Sequence, residues 1–314
     1  MMLSNSGNVI DLTHGQRSGL PARWAHATTS CKENILNTLI SPQELAANLD
    51  NPDWVIADCR FALNDPQAGR QAYAAGHIPG SFYVSLDDDL STPHIPGKTG
   101  RHPLPAQADW AATVAAMGIQ HGSQVVVYDD AGGAMAARMW WMMRWLGHEA
   151  VAVLNGGWQA WQAGGGAVSQ EGRAFTPTSA RFESLPSLVK IVTAEDLDSA
   201  HLQLVDARDL PRYRGDTEPL DPVAGHIPGA ICSPFAGNLS ADKTFLSPAA
   251  LREKFLAVTA SGKPVVCYCG SGVTAAHNLL AMKVAGLDDP ALYPGSWSEW
   301  ITDPSRPVAT GEEH

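Results

Sequence analysis

The chain repeats itself once, and the length of that repeat limits what it can fold into. "AYAAGHIPGSFYV" around His77 returns as "DPVAGHIPGAICS" around His226, "QVVVYDD" returns as "KPVVCYCG", and "GGWQAW" returns as "GSWSEW". The offsets are 149 positions from His77 to His226, 140 from Tyr128 to Tyr268 and 139 from Trp158 to Trp297. A period of roughly 20 to 50 residues would mean stacked units that cannot bury their apolar faces alone. A repeat of this length is instead the size of an ordinary domain with its own core, so the 314 residues are expected to form two duplicated domains.

Each half carries the same succession of signals. "SPQELAANL" at Ser41 and "TAEDLDSA" at Thr193 read as helix starts, with Ser41 or Thr193 as N-cap and Glu44 or Asp196 three residues on. A short apolar strand ending in an acid follows, "WVIADCR" to Asp58 and "LQLVDAR" to Asp206. A second apolar strand then runs into a helix that stops at Gly147 or Gly286, a residue able to take the left-handed conformation past a helix end. Strands alternating with helices predict an α/β fold, each domain a mainly parallel sheet flanked by helices on both faces. Residues 1–32 are expected to be a flexible extension, 33–165 the first domain, 166–186 a linker rich in Gly, Ser, Thr and Pro, and 187–310 the second domain.

Several classes of function are disfavoured at once. A formal net charge of -11, with no clustering of Lys and Arg, argues against a nucleic-acid surface. The most hydrophobic helical stretch, "AMAARMWWMMRWLG", is interrupted by Arg138 and Arg144, which argues against a membrane span. No clear targeting segment opens the chain, which points to the cytoplasm. The five cysteines, Cys31, Cys59, Cys232, Cys267 and Cys269, are an odd number and do not read as a disulfide framework. The Cys-x-Cys at 267 and 269 is too short for a zinc knuckle.

Cys269 nonetheless stands where chemistry is expected. In open α/β sheets, ligands collect beyond the carboxyl ends of the strands, where helix N-termini point their free amides. Those amides and the helix dipole favour a thiolate, and Gly270 and Gly272 let the backbone curl around the sulfur. Cys267, inside the strand, is expected to be a buried structural thiol. The first half has Asp129 at the position of Cys269, so one nucleophile per chain is expected. A thiolate cradle could also cleave phosphate esters, but that chemistry uses Cys-x5-Arg, and the residue six after Cys269 is Ala275. A non-catalytic binding module is the other alternative, and the retained cysteine weighs against it.

The paired "GHIPG" boxes, the Asp206-Ala207-Arg208 strand end, the loop "CGSGVT" and the terminal "LYPGSWSEW" together resemble the tandem-domain rhodanese-like sulfurtransferases. The resemblance implies a catalytically silent first domain and a persulfide on Cys269, held by the loop Gly270, Ser271, Gly272, Val273 and Thr274. The loop is similar to that of 3-mercaptopyruvate sulfurtransferases; thiosulfate sulfurtransferases, the alternative, usually place two basic residues after the cysteine. Arg212 in "RYRGDTEP" matches the family's substrate-binding arginine, with Arg214 beside it. A second arginine a few residues on is replaced by Leu220 and Asp221, a departure towards the thiosulfate branch. The resemblance also implies a relay of Ser271 with His102 and Asp87 from the first domain, His102 acting as base. It implies no metal or organic cofactor, and thioredoxin-like proteins, small thiols or cyanide as sulfur acceptors. His77, His226, Asp58 and Asp206 occur in both halves and are expected to be structural; Trp297 is a core or pocket aromatic.

Overall fold

A computed structural model describes residues 38–312 other than 288. The expected extension at 1–32, with Cys31, lies outside the described residues.

The first half forms a five-stranded parallel sheet from β1 (Leu39–Ile40), β2 (Trp54–Asp58), β3 (Phe82–Tyr83), β4 (Gln124–Tyr128) and β5 (Val151–Leu154), in the order β1-β5-β4-β2-β3. The second half repeats it with β6 (Lys190–Ile191), β7 (Gln203–Asp206), β8 (Ala230–Cys232), β9 (Val265–Tyr268) and β10 (Ala291–Leu292), in the order β6-β10-β9-β7-β8. The register repeats too: Asp58 lies opposite Tyr128, and Asp206 opposite Tyr268. Continuous apolar runs form these strands because both faces are covered. Along β4, Val125 and Val127 enter one apolar cluster while Val126 and Tyr128 enter another.

The helices are α1 (Pro42–Ala46), α2 (Ala68–Ala75), α3 (Gln107–Ala116), α4 (Ala136–Trp145) and α5 (Gly157–Ala163) in the first half. The second half has α6 (Leu210–Arg214), α7 (Pro248–Thr259), α8 (Thr274–Val284) and α9 (Ser296–Trp300). Helices α4 and α8 are buried nearly all round and pack on each other, so one apolar cluster takes residues from both halves. A helix apolar on every side needs that position. The arginines that break the α4 pattern therefore end up inside the protein, not on its surface.

Ser41 caps α1, its hydroxyl accepting from the Glu44 amide at 3.2 Å. The Thr193 capping box also forms, but it starts only a single 3-10 turn at Ala194–Asp196. The expected helix is cut short because Leu197 is extended and the Asp198 carboxylate takes the Ala200 amide, turning the chain towards β7. Gly147 and Gly286 both take positive φ, 81° and 66°, just past α4 and α8. The segment between the halves is irregular but anchored on the first: Ser169 exchanges backbone hydrogen bonds with His77, and the Thr176 amide donates to the Ala116 carbonyl.

Candidate active site

The two halves place the same strand-to-helix loop after β4 and after β9, and the first shows what such a loop does with an anion. Asp129 directly follows β4. Its Oδ1 accepts from the amides of Ala131 and Gly133, both at 2.8 Å, and its Oδ2 from those of Met135 and Ala136, at 2.8 and 2.9 Å. Four amides thus close around one buried carboxylate, a nest of the kind that binds anions elsewhere.

Cys269 takes the corresponding place after β9 and is 2% exposed. The backbone around it is held as around Asp129: the Trp297 amide donates to the Cys269 carbonyl at 3.0 Å, as the Trp158 amide does to that of Asp129 at 2.8 Å. Ser296 further fixes the cysteine by accepting its amide at 3.1 Å. Gly272 has φ +76°, and a Cβ there would stand 2.2 Å from the Pro294 carbonyl oxygen, so only glycine fits. Ser271, Gly272 and Val273 are buried and Thr274 half-buried at the start of α8. Among the described residues no protein group accepts from the amides of Ser271, Val273, Thr274 or Ala275. Of the four amides that Asp129 takes in the first half, the counterparts at Ser271, Val273 and Ala275 are thus left open, while that of Ala276 donates to the Val273 carbonyl at 3.1 Å.

A first-half loop lies against this cradle. Gly100 sits so close to the Gly295 carbonyl that a Cβ would come within 2.5 Å of its oxygen, and the Arg101 amide donates to Ser298 Oγ at 3.0 Å. Next in the chain, His102 Nδ1 is 2.7 Å from Ser271 Oγ, and its Nε2 is 3.5 Å from Asp87 Oδ1. With Nε2–H facing the carboxylate, Nδ1 is the free nitrogen that accepts from the serine hydroxyl. Burial, reinforced by Arg138 and Arg101, pushes the His102 pKa down to about 3, so the ring is neutral at physiological pH. Asp87 is largely exposed. The three residues expected to form a relay are therefore brought together.

Two arginines that sequence reasoning passed over also converge here. Arg138, wholly buried on α4, donates to the carbonyls of Gly272 at 3.1 Å, His102 at 3.0 Å and Leu90 at 3.3 Å, and no carboxylate pairs with it among the described residues. Burial pushes its pKa down to about 10, and Cys269 is the ionisable group that pulls it back up. An unneutralised guanidinium thus stands behind the cysteine loop. Its signal was the charge in the middle of "AARMWW". Arg101 is the second: a Cβ on Gly270 would lie 2.8 Å from its guanidinium and 3.4 Å from that of Arg212. Its signal was weaker, simple adjacency to His102.

Arg212 is on α6, whose N-cap Asp209 accepts its amide at 2.9 Å. Its guanidinium is already engaged, with Glu218 at 2.8 Å and Asp221 at 3.3 Å. Arg214 instead pairs with Glu312. Asp58 and Asp206 each grip the arginine two residues on, Arg60 or Arg208. His77 and His226 stack on Tyr73 and Tyr213 and are bonded to the carbonyls of those residues. Trp297 is fully buried beneath Arg208 and donates from Nε1 to the Val223 carbonyl at 2.9 Å, so it supports the site from below. Cys267 is buried in β9, and burial pushes its thiol up. Cys59, Cys232, Cys267 and Cys269 are free thiols, and no group of three or more His, Cys, Asp or Glu could hold a metal among the described residues. No helix among them is long and apolar enough to cross a membrane.

Paired parallel α/β domains with equivalent anion cradles, one closed by a carboxylate and the other presenting a cysteine, define a class of protein. The model of the rhodanese-like domain matches the chain twice, over residues 41–164 and 192–303, and the chain belongs to that family. It is 49% identical over 282 residues to a probable 3-mercaptopyruvate sulfurtransferase of Pseudomonas aeruginosa, covering 87% of this chain and 98% of that protein. It is 43% identical over 279 residues to a putative thiosulfate sulfurtransferase of Mycobacterium tuberculosis, covering 87% and 97%. Among solved structures, the 3-mercaptopyruvate sulfurtransferase from Leishmania major matches with a TM-score of 0.75 and 30% identity, over 88% of this chain and 76% of that one.

Proposed function

We propose that the protein is a sulfurtransferase that takes sulfur from 3-mercaptopyruvate through a persulfide on Cys269. The observation that carries this reading is the 2.7 Å contact between Ser271 Oγ and His102 Nδ1, at a cysteine loop that has no basic residue of its own. Thiosulfate has no proton to give up, whereas mercaptopyruvate brings a thiol, and a neutral imidazole behind a serine hydroxyl can receive its proton.

The Cys269 thiolate attacks the donor sulfur. The S–S bond forms as the bond between that sulfur and C3 breaks, and its electron pair moves into the C2 carbonyl to give the enolate of pyruvate. The thiol proton passes through Ser271 Oγ to His102 Nδ1 and returns to C3 as pyruvate leaves. The persulfide anion stays against the open amides of Ser271, Val273 and Ala275, the counterparts of three that hold the Asp129 carboxylate in the other half. An acceptor thiolate or cyanide then attacks the outer sulfur and regenerates the Cys269 thiolate, which makes the kinetics ping-pong. Gly270, Gly272, Val273 and Thr274 shape the cradle, and Arg212 binds the donor carboxylate. Thioredoxin-like proteins or small thiols serve as acceptors, and the reaction belongs to the cytoplasm.

Comparison of kcat/KM for 3-mercaptopyruvate and thiosulfate, with Cys269→Ser as the blank, tests the assignment. A preference of about a hundredfold or more for mercaptopyruvate, roughly 2.7 kcal/mol of differential transition-state binding, is expected. A preference for thiosulfate would remove the relay from the mechanism.

A further inference from the structure

The β4–α4 and β9–α8 loops are each tied from behind by a helix of the other half, and the two ties differ in charge. Gly132 and Gly272 take the same place, three residues after Asp129 and Cys269. The Gly132 carbonyl accepts from Nε2 of His277 on α8 at 3.0 Å, and the Gly272 carbonyl accepts from Nη1 of Arg138 on α4 at 3.1 Å. His277 is buried and neutral, its pKa pushed down to about 4 by burial. The loop it ties holds a carboxylate that four amides already satisfy. The Cys269 loop has one amide fewer to offer its sulfur, because that of Ala276 is spent on the Val273 carbonyl, and its tie is a cation.

Arg138 is wholly buried. Its two Nη atoms donate to the carbonyls of Gly272, His102 and Leu90, and its Nε has no hydrogen-bond partner among the described residues. Carbonyls solvate a guanidinium without cancelling its charge, and a buried charge left uncompensated is costly. The other ionisable groups around the loop do not compensate it. His102 is neutral, Asp87 is largely exposed, burial pushes the Cys267 thiol up, and Arg101 and Arg212 are cations already paired with Asp221 and Glu218. Cys269 is the group left to carry the opposite charge.

We propose that Arg138 is a positioning residue that serves as the fixed counter-charge of the Cys269 sulfur, as thiolate and as persulfide, through the loop carbonyl it holds. This deepens the sulfurtransferase reading and rests on it, because a cycle that keeps the sulfur anionic gains from a cation that cannot leave. Both members of the pair are buried, so salt screens their attraction little. Arg138 also holds the His102 carbonyl, so one side chain of the silent half fixes the relay base and balances the nucleophile.

The test uses the full chain and reads alkylation of Cys269 by iodoacetamide at pH 7, followed by mass spectrometry of its peptide. The thiolate is the reacting form, so Arg138→Met, which keeps the bulk and removes the charge, is expected to slow alkylation about tenfold. Arg138→Lys is expected to recover part of that loss, since it restores the charge without the planar fork. Equal or faster alkylation in Arg138→Met is what a merely loosened loop would give, and it would overturn the proposal. A second comparison leaves Arg138 in place: Cys269→Asp and Cys269→Asn differ in charge with nearly the same shape, and the aspartate variant is expected to unfold at the higher urea concentration. An asparagine variant at least as stable as the aspartate variant would overturn the proposal as well. Failure of the wild type to form pyruvate from 3-mercaptopyruvate would instead strike the sulfurtransferase reading, because neither measurement uses a sulfur donor.

Discussion

Ser271 and His102 are 169 positions apart in the chain and 2.7 Å apart in the fold. A hydroxyl so placed has two possible uses, capping α8 or passing a proton, and substitution separates them. Ser271→Ala is expected to lower kcat/KM for 3-mercaptopyruvate about a hundredfold while changing that for thiosulfate less than about threefold, as steady-state assays with both donors will show. Equal losses for both donors would assign the serine to loop structure. The residues of the candidate site were legible in the sequence because cysteine, serine and glycines stand together in one loop, and because the family resemblance pointed to His102, Asp87 and Arg212. Arg101, Arg138 and Asp221 were not legible as site residues. Their roles arise from a contact between halves, and a sequence pattern does not say which charged side chains will face one another across it.

The β4–α4 and β9–α8 loops are one device used twice. In the first, a carboxylate satisfies four amides; in the second, the counterparts at Ser271, Val273 and Ala275 have no protein acceptor among the described residues, and that of Ala276 donates to the Val273 carbonyl. The Asp129 loop is therefore expected to matter for stability and not for chemistry. Asp129→Ala strips the acceptor from four buried amides and should cost about 3 kcal/mol in urea unfolding, with Cys269 still able to form a persulfide. A fall in activity without a fall in stability would contradict this. The long apolar strands and the helices behind them were readable from pattern, as were the glycine stops at 147 and 286. The two-residue strands β1, β3, β6 and β10 were not, because two residues carry no periodicity and only the neighbouring strand defines them. The Thr193 helix failed for a related reason: its cap was right, but the turn made by Asp198 overrode it.

Across the whole molecule, the halves are joined through buried polar groups as well as through the α4–α8 core. His277 on α8 donates from Nε2 to the Gly132 carbonyl of the first-half loop at 3.0 Å and accepts at Nδ1 from Asn238. Burial pushes its pKa down to about 4, and that of His102 to about 3. Both are neutral when folded, whereas in the unfolded chain they take up protons below about pH 6.5. Their contribution to stability is thus complete above that pH and is lost as pH falls towards 4 and 3. At pH 5 each is expected to cost about 2 kcal/mol relative to pH 7. His277→Gln, which can keep both hydrogen bonds, should remove about half of that loss in urea titrations at the two pH values; an unchanged loss would contradict the assignment. Passage of sulfur from a mercapto-acid to Cys269 is tested by mixing the protein with one equivalent of 3-mercaptopyruvate and no acceptor. Mass spectrometry of the cysteine peptides and a pyruvate assay are then read together. One added sulfur atom on Cys269 and one equivalent of pyruvate are expected. Sulfur on another cysteine, or pyruvate without a persulfide, would contradict it.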